Sequence, residues 1–232
     1  MYRSLEPKKI VETSEQIEAR INERFPDSSL GKLAGEIVAV TQQAAAMSRW
    51  LAQPHWPLRI AVTVCILAMA LVAVGLARQI QVEVGRFNLS ELLQGLEAAI
   101  NDLIFLGIGV FFLVSWEARI KRNRVLKAVH ELRSLAHVID MHQLTKDPEN
   151  LLADYTRTPS SPQRTMTPFE LTRYLDYCSE CLSMISKVAA LYVQDFQDPA
   201  TLSAVNDVES LTTGLSRKIW HKIVILDRML KP

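Results

Sequence analysis

The chain has 232 residues, enough for one sizeable domain or two small ones. Its residues are 49% hydrophobic and 22% charged, so the apolar ones must be concentrated in a few segments. A formal net charge of +1 argues against nucleic acid as a partner, and three irregularly spaced cysteines (Cys65, Cys178 and Cys181) exclude a disulfide framework.

The first segment, 1–57, reads as an amphipathic helical arm. Ile10, Ser14, Ile17, Ile21 and Phe25 recur every three to four residues and share one face. Pro26-Asp27-Ser28-Ser29 interrupts the pattern, and Leu30, Leu33, Ile37, Val40, Ala44, Met47 and Leu51 resume it. A narrow apolar stripe must bury against another part of the chain or a second copy. The arm is polar and holds seven acids, which fits neither a signal peptide nor a transit peptide.

The segment 58–118 predicts a two-helix transmembrane hairpin, with spans at about 58–78 and 99–117. Ile60 to Ala77 carries no charge, and eighteen residues at about 1.5 Å each approach the thickness of bilayer hydrocarbon. Leu103 to Trp116 is shorter and reaches spanning length only if Asn101 and Asp102 lie near the interface. Trp50, Trp56, Arg59, Arg78 and Trp116 have the character of interfacial anchors. Arg119, Lys121, Arg122 and Arg124 follow the second span, whereas the connection holds only Arg78 and Arg86. This bias predicts cytoplasmic termini, and the expected location is a bacterial inner membrane. The basic cluster is also a candidate site for anionic lipid headgroups. The NLSELLQGLEAAI stretch of the connection predicts a short amphipathic helix outside or on the membrane.

Between Val110 and Asp147 there is neither Gly nor Pro, so the second span is expected to continue as one helix to about Leu144. The region 119–232 then predicts an antiparallel three-helix bundle on the cytoplasmic side, with a Ser/Thr/Pro-rich loop at 147–167. Thr167-Pro168-Phe169-Glu170 spells a capping box with Pro at the first helical position. Asp198-Pro199 starts the last helix in the same way. No strand pattern appears, and the fold class is all-α.

His137, Asp140 and His142 form the densest group of possible metal ligands. At 100° per residue, His142 lies about 140° around the helix from His137, so one helix cannot aim all three at one ion. His130, Arg133, His137 and Asp140 do share a face, where Asp140 is expected to pair with His137. With Asn206, Glu209 and Trp220 on the last helix, this row is a candidate interaction face. Cys178-Ser179-Glu180-Cys181 is formally a CxxC, but it lies inside a helix rather than at its start and predicts core cysteines. No nucleotide, hydrolase or metalloprotease motif is found, and no cofactor is expected.

These features predict a non-enzymatic, self-associating membrane component that acts in scaffolding or signalling through its helical bundle. The alternatives are an oligomeric pore and, third, a membrane-tethered metal-dependent enzyme. In topology alone the arrangement is similar to the SLATT class of two-span bacterial effectors, a resemblance that implies pore formation on triggering.

Overall fold

The computed structural model describes residues 4–54, 56–79, 89–148, 159 and 166–230. Among them there are six helices and no strand: α1 (Pro7–Arg24), α2 (Ser29–Ala52), α3 (Trp56–Gln79), α4 (Leu89–Leu144), α5 (Pro168–Gln194) and α6 (Pro199–Leu230). The all-helical fold class therefore holds. The chain divides into two compact units, one of Met1–Gln53 with Arg124–Pro232 and the other of Pro54–Asn123.

In the first unit, α1 packs on α2, both lie against α5, and α5 packs on α6. The stripes seen in the sequence are the buried faces. Ile10, Ile17 and Ile21 of α1 and Leu30, Leu33 and Ile37 of α2 join Leu175, Leu182 and Ile185 of α5 in one core. Val125, Leu132, Ala136 and Ile139 of α4 belong to the same core, as do Val208, Ile219 and Leu226 of α6. The sequence separates an arm from a three-helix bundle, but the fold merges them. The stripes of α1 and α2 are covered by this chain's own α5, with no second copy needed.

Local chemistry sets the helix boundaries. Ser28 caps α2 by accepting from the Gly31 amide at 3.0 Å. The turn before it places Asp27 at φ 56°, a left-handed conformation that a short polar side chain tolerates. The capping box at Thr167 forms as the sequence predicts: its hydroxyl accepts from the Glu170 amide, and the Glu170 carboxylate accepts from the Thr167 amide. Asp198 accepts from the amides of Ala200 and Thr201 at the start of α6.

In the second unit, α3 is 24 residues long and α4 begins at Leu89. The short helix expected in the connection is thus the first part of α4 itself, since Leu89–Ile100 is rich in Leu, Glu and Ala and continues without a break. Among the described residues one helical stretch, Leu103–Leu144 of α4, is long and apolar enough to cross a membrane, and none of its most apolar window is buried. Arg59–Leu71 of α3 is a shorter apolar stretch. Leu71 is 72% exposed and Phe105 73%, values foreign to a water-soluble core.

Candidate functional site

The end of α4 gathers the most chemistry. The last carbonyls of a helix have no partner within it, and here α6 supplies one. Lys222 Nζ donates to the Gln143 carbonyl at 2.8 Å and to the Lys146 carbonyl at 3.4 Å, and pairs with the Asp147 carboxylate at 3.0 Å. Gln143 is buried. Its amide nitrogen donates to Asp140 at 2.6 Å, while its amide oxygen has no hydrogen-bond partner.

These contacts replace the expected His137–Asp140 pair: the Asp140 carboxylate faces Gln143, and His137, His130 and Arg133 are exposed. His142 instead turns to α2, with its Nδ1 3.4 Å from the Ser29 hydroxyl. His137, Asp140 and His142 are therefore not brought together. Among the described residues, no group of three or more His, Cys, Asp or Glu could hold a metal ion.

Beside His142 lies a cavity of about 370 Å³ between α4, α5 and the start of α2. Ser29, His142, Thr145, Lys146 and Tyr174 line its polar side. Burial, reinforced by the positive charge of Lys146, holds His142 below its ordinary pKa of 6.5. Burial also pushes the Tyr174 phenol well above its usual range, with Cys178 and Cys181 adding to the effect and a hydrogen bond to Ser29 opposing it. The Lys146 ammonium stands 5.3 Å from the centre of the Tyr174 ring.

Both cysteines of the CxxC are core residues, Cys178 at 0% and Cys181 at 1% exposure. Burial raises both thiols, that of Cys181 to about 12. Such thiols remain protonated at neutral pH and are poor nucleophiles. The neighbouring acids of α5 pair with arginines. Glu180 meets Arg20 of α1 at 2.6 Å, and Asp176 meets Arg173 at 3.1 Å.

The residues expected at a membrane interface fall in both units. In Pro54–Asn123, Arg59 Nε donates to Glu117 at 2.8 Å, and Lys121 reaches the other oxygen of the same carboxylate at 3.0 Å. Lys121 is buried at 7% exposure and Arg122 is half-buried, so the basic cluster is not a uniform exposed patch. Arg119 stacks over Phe112 at 4.9 Å, and Phe112 meets Trp116 edge-on. Trp56 is 65% exposed. Arg78 lies in α3, but its side chain is outside the described set. In the other unit, Arg124 stacks on Trp50 at 4.6 Å.

On α6, Asn206 and Trp220 are exposed and Glu209 is half-buried. Asn206, Glu209, Thr213 and Arg217 border a shallow groove of about 430 Å³. Trp220 lies outside it.

Sequence reasoning missed Lys222, Ser29 and Tyr174. Lys222 left a signal, because it stands three residues after Ile219 and beside Ile223 on an otherwise apolar stripe. A cation at such a position must find buried acceptors. Ser29 and Tyr174 gave no signal, because their roles arise only where α2 and α5 meet the end of α4. No protein-family model, curated protein or solved structure matches the chain.

Proposed function

We propose that this chain is an integral membrane protein with two spans, α3 and the apolar stretch of α4, and that its other helices form an interaction or signalling module on one side of the bilayer. One observation carries the reading. Helices before the apolar segments, α1 and α2, share a core with helices after them, α5 and α6. An odd number of crossings would place the two halves of that core on opposite faces of the membrane. If the exposed apolar stretch of α4 crosses, α3 must cross as well.

Lengths and contacts agree with this. The 24 residues of α3 rise about 36 Å at 1.5 Å each, more than the roughly 30 Å of hydrocarbon. The Arg59–Glu117 pair sets the start of α3 beside the end of the apolar stretch of α4, the alignment a hairpin needs. The basic bias of Arg119–Arg124 supports a cytoplasmic module, and anionic headgroups suit Arg119 at the rim.

Among the described residues of the module no group of three or more His, Cys, Asp or Glu could hold a metal ion, and burial keeps the thiols of Cys178 and Cys181 protonated. Exposed Trp220 on α6 and the exposed His130–Arg133–His137 row on α4 are surfaces open to partners or to a second copy. A pore has less support. The apolar stretches hold few hydroxyls, Thr63 and Ser115, and these donate to the carbonyls of Arg59 and Phe111 in their own helices. Alkaline carbonate washing of membranes tests the reading. The protein should stay in the pellet; release into the supernatant would remove the spans. Light scattering on the detergent-purified protein should show a small defined oligomer that Trp220→Ala shifts toward monomer.

A further inference from the structure

The cavity beside His142 carries more donors than its internal contacts use. Lys146 and His142 supply nitrogen, and Ser29, Thr145 and Tyr174 supply hydroxyls. Among the described residues, no carboxylate lines the cavity. Of the described acids near it in sequence, Asp140 accepts from Gln143 and Asp147 pairs with Lys222. The contact between Ser29 and His142, at 3.4 Å, is long for a hydrogen bond and is easily exchanged for a better acceptor. The ammonium of Lys146 faces the Tyr174 ring.

We propose that this cavity binds a phosphate monoester carried on a small organic body. The donor set fits a tetrahedral dianion, which accepts several charge-assisted bonds at once. Volume indicates that the ligand is more than a bare ion. At about 30 Å³ per water, 370 Å³ corresponds to roughly a dozen waters, far more than one phosphate displaces. The remaining wall is apolar, formed by Val138 and Met141, which are 38% and 68% exposed. That side takes the organic body and the polar side takes the phosphate. The amino end of α2, at Ser29, adds a minor favourable field.

The site also has a built-in reporter. Burial and Lys146, two residues past α4, disfavour a charged His142, while Tyr174 on α5 stays neutral and Lys222 on α6 is tied to the carbonyls at the end of α4. A bound dianion reverses the balance at the imidazole, so occupancy must raise the His142 pKa.

The test follows the His142 resonance by NMR during pH titration of the full chain in zwitterionic nanodiscs. The probes are inorganic phosphate and phenyl phosphate, with phosphatidic acid in the bilayer as a lipid source of the same group. Expected is a rise in the His142 pKa with phenyl phosphate, and about tenfold weaker binding in Lys146→Gln, as for loss of one charge-assisted contact. Met141→Gln, at an exposed position, should weaken phenyl phosphate while sparing inorganic phosphate. A response to phosphatidic acid alone would identify the source as a lipid headgroup and keep the site. Identical titrations with and without all three probes would overturn the proposal. So would undiminished affinity in Lys146→Gln.

Discussion

His142 is held below its ordinary pKa chiefly by burial and secondarily by Lys146. The unfolded chain takes up a proton near pH 6.5, whereas the folded chain does so only at lower pH. Protons therefore favour the unfolded state as the pH falls below 6.5, and this part of the stability is fully present above it. His142→Gln should flatten the pH dependence of the melting temperature in that range. An unchanged slope would mean that His142 does not carry it. Cys178 and Cys181 should resist maleimide at neutral pH until the chain is denatured, because burial keeps their thiols protonated. Mass spectrometry of native and denatured samples reads this directly. The helical period in the sequence was enough to separate His142 from His137. It did not reveal that Asp140 turns to Gln143, because His137 and Gln143 stand equally close to it along the helix, three residues away on either side.

Among the elements, the caps were the most legible, since each is written in three or four consecutive residues. Thr167→Ala should cost about 1 kcal/mol of stability, with Thr167→Ser close to neutral, measured by thermal unfolding in detergent. A long-range cap leaves a weaker trace. Lys222→Met removes charge-assisted bonds to two carbonyls and should cost about 2 kcal/mol, more than the surface cap despite keeping a similar apolar stem. Periodicity located the buried faces of α1 and α2 correctly but left open what covers them. The answer, α5, is a tertiary contact across more than 100 residues, and no local pattern encodes it. The helical character of the stretch before the second apolar run was legible, but its continuity with that run as one helix was not, although nothing between them breaks the backbone.

For the molecule as a whole, the strongest constraint comes from a core built from both ends of the chain. Helices that share Ile21, Leu182 and Ile219 in one apolar cluster cannot lie on opposite sides of a bilayer. The hairpin reading also requires Arg59 and Glu117 to be close neighbours in the membrane-embedded protein. With the native cysteines replaced, a short bismaleimide should join Arg59→Cys to Glu117→Cys within one chain. The decisive measurement is the side of the membrane on which three single-cysteine reporters react with an impermeant maleimide: Glu15→Cys in α1, Gln81→Cys in the connection and Trp220→Cys in α6. The two-span account predicts that the α1 and α6 reporters react from one side and the connection reporter from the other. Reaction of all three from the same side, or of α1 and α6 from opposite sides, would contradict it.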